Sequence, residues 1–188
     1  MISETIKGQL LKLESHPRLF SPKNIDKGTL HMLSFVEFEP QHKVLDLGCG
    51  YGAVGILAAK FCDPSQVFLV DTDKLAVDYA AKNAEINGVD GVNVILSNAY
   101  ENLDEAGFDL IISNPPYHTD FSVAKTFIEK GFNRLCLGGR FFMVTKRRKW
   151  YENKFISIFG GVKVYEKDGY FIFEAEKRGN SYAGNRRK

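Results

Sequence analysis

From Lys43 onward apolar strands alternate with helices, and this rhythm breaks once, close to the C-terminal end. Val162-Lys-Val-Tyr-Glu166 and Tyr170-Phe-Ile-Phe-Glu-Ala-Glu176 are joined by Lys167-Asp168-Gly169 alone. A parallel crossover needs about a dozen residues, so these two strands must pair antiparallel. Upstream, the pattern predicts strands at Val44–Leu47, Val67–Val70, Val92–Leu96, Phe108–Ser113 and Arg140–Thr145. Helices are predicted over about Ala53–Phe61, Lys74–Asn87 and Phe121–Leu135, with another near Trp150–Phe159. Asn87-Gly88 supplies a natural stop for the second of these. Strands that take turns with helices form a parallel sheet covered on both faces. The fold class is therefore α/β, a mixed sheet finished by an antiparallel hairpin.

In front of this core, Ile2, Ile6, Leu10 and Leu13 fall at helical spacing, and His16-Pro17 ends the pattern because a residue before proline avoids the helical region. A short N-terminal helix is expected there. An irregular stretch from Arg18 to Gly28 leads to a second helix starting near Thr29, whose hydroxyl can cap it. Residues 1–42 are expected to fold over a ligand as a helical segment, with 43–177 as the core and 178–188 as a polar tail. The whole chain of 188 residues, 44% apolar, suits a single domain with one buried core.

Twenty-five basic and 23 acidic side chains leave a net charge of +2, so the overall field does not announce a nucleic-acid partner. Such a partner would have to meet a local patch. Lys146-Arg-Arg-Lys149 and Arg186-Arg-Lys188 are the candidates, against the plainer reading of solvated charge. Cys49, Cys62 and Cys136 are widely spaced with no CxxC pair, which predicts reduced thiols and no metal site. The first residues lack a basic segment followed by an apolar run, and no stretch of about eighteen apolar residues occurs. A cytoplasmic protein without a membrane span is expected.

Val44-Leu-Asp-Leu-Gly-Cys-Gly-Tyr-Gly-Ala-Val-Gly55 reads as a strand opening through a glycine turn into a helix. Gly48 and Gly50 let the backbone approach a ligand closely and leave amides exposed at a helix start. Asp46 is a charge inside an apolar strand, so it bonds either to loop amides or to a ligand ammonium. Asp71, about twenty residues past the glycines, suits both hydroxyls of a ribose. Its alternative is to cap the next helix, which Asp73 could do instead. Ser97-Asn98-Ala99 follows the third strand, where Asn98 and the Ala99 amide either meet an adenine or form an ordinary turn.

Asn114-Pro-Pro-Tyr-His118 ends the fourth apolar strand. An amine conjugated to a base or a carbonyl is a poor nucleophile, because its lone pair is delocalised. The Asn114 side-chain oxygen and the Pro115 carbonyl can accept both N–H bonds and so localise that lone pair. Pro116 fixes the turn, and Tyr117 can stack on a flat substrate. His118 can take a proton or be a satisfied loop histidine.

Taken together, these residues resemble the small-domain class I methyltransferases typified by ribosomal RNA small subunit methyltransferase C. The likeness runs over nearly the whole chain, from Phe20-Ser21 and Asp26-Lys-Gly-Thr29 through Asp46-Leu-Gly48-Cys49-Gly50, Asp71, Ser97-Asn98 and Asn114-Pro-Pro-Tyr-His118 to Asp168-Gly169-Tyr170. It implies a Rossmann-like seven-stranded sheet in the order 3-2-1-4-5-7-6, with the last strand antiparallel. It implies S-adenosylmethionine (SAM) held by Asp46, Gly48, Cys49, Gly50, Asp71, Thr72, Asn98, Ala99 and Asn114. It further implies that Asn114, Pro115, Pro116 and Tyr117 serve the transfer, with Phe20, Asp26, Gly28, Thr29, Tyr117 and His118 around the substrate. The expected substrate is a guanine N2 amine of ribosomal RNA. A protein glutamine or adenine N6 amine would meet the same acceptors, and an inactive SAM- or RNA-binding assembly module or a nicotinamide-linked oxidoreductase are the alternatives of other classes.

Overall fold

The computed structural model describes residues 1–116 and 120–184. It begins with a two-stranded antiparallel hairpin, β1 (Ile2–Ile6) and β2 (Gln9–Leu13), followed by the helix α1 (Lys27–Leu33). The alternating core then runs β3 (Val44–Leu47), α2 (Ala53–Ala58), β4 (Val67–Asp71), α3 (Lys74–Ile86), β5 (Asn93–Leu96), β6 (Phe108–Ser113), α4 (Ser122–Arg134) and β7 (Leu135–Thr145). It closes with α5 (Lys149–Phe159), β8 (Lys163–Lys167) and β9 (Tyr170–Glu176).

The seven core strands form one sheet in the order β5-β4-β3-β6-β7-β9-β8. Numbered from β3, this is the expected 3-2-1-4-5-7-6. Strands β3 to β7 pair in parallel, and β9 runs antiparallel to both β7 and β8. Alternation along each strand sends side chains to two cores. Val44, Val67, Leu69, Leu110, Ile112, Phe142 and Val144 join the core beneath the hairpin and α1 to α3. Leu45, Leu47, Phe68, Val70, Ile111, Phe141 and Met143 join the opposite core, under α4 and α5.

The N-terminal helix expected over residues 2–14 is a hairpin instead. Ile2 and Ile6 lie four apart, which suits one helix face, but they are also an even number apart, which suits one strand face. Lys7 and Gly8 decide the matter, both at positive φ (50° and 79°), the conformation of a two-residue hairpin turn. Leu11 and Leu13 are then buried, whereas Leu10 is 53% exposed. The start of α1 is also corrected: Asp26 is its cap, accepting the Thr29 N–H at 3.1 Å, rather than the Thr29 hydroxyl.

Asn83 of α3 and Asn87, which caps the helix at its C-terminus, hold the hairpin to the core. Asn87 accepts the Lys12 N–H at 3.1 Å and donates to the Lys12 carbonyl at 2.8 Å. Asn83 accepts the Glu14 N–H at 2.7 Å and donates to the carbonyls of Glu14 (2.8 Å) and Tyr51 (2.9 Å). Each carboxamide thus stands in for a neighbouring strand and satisfies the backbone of β2 and the residue after it. Asn83→Ala leaves several backbone groups unpaired around a fully buried position, and it is expected to cost about 3 kcal/mol of stability by denaturant titration.

Candidate active site

The carboxyl ends of β3, β4, β5 and β6 open onto one cavity of about 480 Å³, in the size range of small-molecule sites. Its floor is the turn after β3. Gly48 and Cys49 donate their N–H groups to the Val70 carbonyl at 2.8 and 2.9 Å, which fixes the turn against β4. Gly48 and Gly50 both have positive φ (75° and 55°), and a Cβ at Gly50 would meet no protein atom within 4 Å. Bare backbone therefore faces the cavity. The thiol of Cys49 is buried there and held well above the usual thiol range, first by burial and then by the charges of Asp46 and Asp71, so it is no nucleophile.

Two carboxylates flank this turn. Asp46 is 3% exposed and accepts the Gly55 N–H at 2.8 Å, so it ties β3 to the first turn of α2. Burial pushes its carboxyl up to about 7 from an ordinary 3.8; the Gly55 bond lowers it and the Asp71 charge raises it. Between those two values the folded chain binds more protons than the unfolded chain, so this group makes stability fall as pH rises. Asp46→Asn is expected to flatten that part of the pH dependence, read as denaturant midpoints between about pH 4 and pH 8.

Asp71 accepts the Gly50 N–H at 2.8 Å through one oxygen and the Asp73 N–H at 2.9 Å through the other. Asp73 itself caps α3, accepting from Leu75 N–H at 2.9 Å. Each Asp71 oxygen keeps a further lone pair for a ligand. Asn98 is exposed at the cavity rim and donates its Nδ2 to Glu101 at 3.0 Å, which leaves its Oδ1 as an acceptor. Ala99, also lining the cavity, has a positive φ of 51°, a conformation that costs a non-glycine residue roughly 1 kcal/mol. Thr72 lines the cavity between the two aspartates.

Asn114 stands across the cavity from these groups, at the end of β6. Its Nδ2 donates to Asp26 Oδ2 at 3.0 Å and to Thr29 Oγ1 at 2.9 Å. A carboxylate can only accept, so the amide nitrogen must be the atom on that side. Both N–H bonds are spent, and the carboxamide oxygen remains as an acceptor. Pro115 is buried beside it, and both Pro115 and Pro116 line the cavity. Ser113 anchors the turn from below, donating its hydroxyl to the Leu47 carbonyl at 2.7 Å.

The front segment completes the enclosure. Leu19 and Ile25 are buried, while Phe20 is half exposed at the cavity wall together with Arg18. The Tyr51 hydroxyl lies 3.3 Å from both the Ser21 and Asn24 carbonyls and ties this segment to the glycine turn. Burial, and then the charge of Asp26, pushes its phenol up to about 12, so it is a fixed donor. Gly28 does not line the cavity. A Cβ there would lie 2.5 Å from the Tyr170 ring, so the glycine lets that ring pack against α1. Tyr170 in turn reaches Asp26 Oδ1 at 3.4 Å.

The structure thus brings Asp46, Gly48, Cys49, Gly50, Asp71, Thr72, Asn98, Ala99, Asn114, Pro115 and Pro116 onto one cavity with Phe20, Asp26 and Thr29. Tyr117 and His118 lie outside the described residues. The sequence assigned no site role to Tyr51, Ser113 or Tyr170; the signals it held were the Asp168-Gly169-Tyr170 run and a small polar residue directly before Asn114. Among the described residues no His, Cys, Asp and Glu side chains gather into a group that could hold a metal ion. No helix among them is long and apolar enough to cross a membrane.

Comparison with known proteins points the same way. A protein from Bacillus subtilis (strain 168), described as uncharacterized protein YbxB, is 33% identical over 166 residues, covering 85% of this chain and 82% of its own. Ribosomal RNA small subunit methyltransferase C of Serratia proteamaculans is 32% identical over 88% of this chain, which spans only 48% of that relative. Among solved structures, the T. Thermophilus 16S rRNA N2 G1207 methyltransferase (RsmC), in complex with AdoMet and guanosine, superposes with a TM-score of 0.86 at 30% identity. That match covers 94% of this chain and 50% of the other, so the chain spans about half the length of these methyltransferase C relatives. Residues 10–174 match the model of one family, and the chain belongs to it: the methyltransferase small domain.

Proposed function

We propose that this chain methylates the exocyclic N2 amine of a guanine in ribosomal RNA, with SAM as donor, as a cytoplasmic enzyme. The observation that carries the reading is the locked carboxamide of Asn114. Asp26 and Thr29 take both of its N–H groups, and its oxygen is left to accept. A binding module needs no such acceptor, whereas amine transfer does. The names of the relatives at about 32% identity support RNA as the substrate class.

The cavity fits SAM on its own terms. Its bare glycine backbone, its two carboxylates and the Asn98 acceptor at its rim suit a ligand that carries an ammonium, a ribose and a base. Asp46 would hold the ammonium, Asp71 the ribose hydroxyls, and Asn98 with Ala99 the adenine, while Thr72 and Cys49 close the walls. When bound, SAM supplies an electrophilic methyl group on a sulfonium.

The remaining work falls to the chain. Asn114 Oδ1 and the Pro115 carbonyl accept the two N–H bonds of the target amine, which draws the nitrogen toward a pyramidal geometry with an aimed lone pair. Pro116 fixes the peptide that carries this carbonyl. The acceptors also stabilise positive charge as it develops on the nitrogen. Phe20 and Thr29 would flank the base, Tyr117 and His118 are assigned to it by the family pattern alone, and Gly28 would act through Tyr170 and Asp26. The surplus proton can pass to water, so no dedicated base is required. In this reading residues 1–42 cover the cleft, 43–177 carry the chemistry, and 178–188 form a polar tail of one catalytic domain.

The test is transfer of tritium from labelled SAM into cell extract, followed by digestion with RNase or protease. Label released by RNase is the expected result. Release by protease alone would overturn the proposal in favour of a glutamine substrate, and the absence of transfer would favour an assembly module.

A further inference from the structure

We infer that the strip formed by Lys146, Arg147, Phe121 and Trp150 grips the single-stranded RNA that flanks the target guanine; this rests on the proposed RNA substrate. The strip follows β7, at the same end of the sheet as the cavity. Lys146 to Lys149 are four exposed cations in succession. Two of them are seated on aromatic rings: Lys146 Nζ lies 5.0 Å from the Tyr170 centroid and Arg147 Cζ 5.3 Å from that of Phe121.

The two rings straddle the acceptor site. Tyr170 reaches Asp26, the partner of Asn114, so Lys146 stands on one side of the cleft. Phe121 directly precedes α4, whose Val123 and Phe127 line the cavity on the other. Phe121 is stacked on Trp150, with centroids 4.3 Å apart and planes 15° apart, and Tyr151 meets Trp150 edge-on at 5.1 Å. Arg147 and Trp150 thus both pack on the Phe121 ring, and the indole is only partly buried. Cations that track phosphates beside flat rings that stack bases are what a single strand requires.

Stability alone does not account for this arrangement. Arg148 is the N-cap of α5 and makes no side-chain cap bond, so cations gather where the helix dipole disfavours them. Arg148 pairs with Glu152 at 2.9 Å, but Arg147 takes part in none of the ion pairs among the described residues. A phosphate would relieve that crowding.

Trp150 is the single tryptophan of the chain, so its fluorescence reports on the strip directly. A guanine-containing RNA oligonucleotide titrated into the full chain with SAM is expected to quench it. In Lys146→Ala/Arg147→Ala, Kd and KM for RNA are expected to rise about tenfold with kcat changed less than twofold. The slope of log Kd against log salt should fall by about 1.4, the share of two phosphate contacts. Lys163→Ala/Arg178→Ala removes equal charge at the opposite end of the sheet and should change neither quantity. Wild-type chain that methylates RNA, with KM and salt slope unaltered in the first variant or shifted equally in both, overturns the strip. Label found in protein, with none in RNA, overturns the proposed substrate and the strip with it, an outcome distinct from loss of the strip alone.

Discussion

Asn114→Ala is expected to lower kcat by about 10²-fold or more while SAM affinity stays within a few fold. In the proposed reaction the carboxamide oxygen accepts an N–H bond from an amine whose charge develops only as the new bond forms, so its loss would fall on turnover rather than on binding. Asn114 also donates to Asp26 and Thr29, and the alanine removes those bonds too. Asp26→Asn separates the two effects. It keeps an oxygen at the position that orients Asn114 and leaves the reacting oxygen in place, but it adds a second amide that can turn the wrong way. A smaller fall in kcat is expected for that variant. Single-turnover rates with saturating SAM are the measurement, and unaltered turnover in Asn114→Ala would refute the assigned role.

Asp71→Ala should act on the other side of the cavity and on the other constant. Its two oxygens accept the Gly50 and Asp73 N–H groups at 2.8 and 2.9 Å, so the side chain shapes the glycine turn before any ligand arrives. Bonds to a charged acceptor are worth about 1.5–3 kcal/mol each, and a ribose would add its own. The Kd for SAM, by calorimetry, is expected to rise by about 10²-fold. With SAM raised to saturation, kcat should recover to within a few fold. Asp71→Asn keeps one acceptor and should fall between. An unchanged Kd would mean that Asp71 serves the turn alone.

The order of strands could be read from the sequence because it follows from local signals: the strand and helix periods, and a connection of three residues at Lys167-Asp168-Gly169. The hairpin could not be read so easily. Ile2 and Ile6 satisfy both periods, and the deciding pair, Lys7-Gly8, differs little from a polar helix turn in composition. At the site, Asp46, Asp71 and Asn114 could be found because a polar residue at or within an apolar strand is conspicuous. What could not be read is how they are held. Asp26 and Asn114 lie 88 residues apart, and Asn83 and Tyr51 lie 32 apart. No local pattern records such pairs; only the folded sheet brings them together. Gly28 illustrates the limit, since its need for a bare backbone arises from Tyr170, near the far end of the chain.

The locked carboxamide is the hinge of the whole account, and a crystal structure of the chain with a SAM analogue and guanosine tests it most directly. The guanine N2 amine is expected within hydrogen-bond distance of both Asn114 Oδ1 and the Pro115 carbonyl, with Asn114 Nδ2 still on Asp26 and Thr29. Guanosine bound elsewhere, or Asn114 turned so that its nitrogen faces the base, would contradict it.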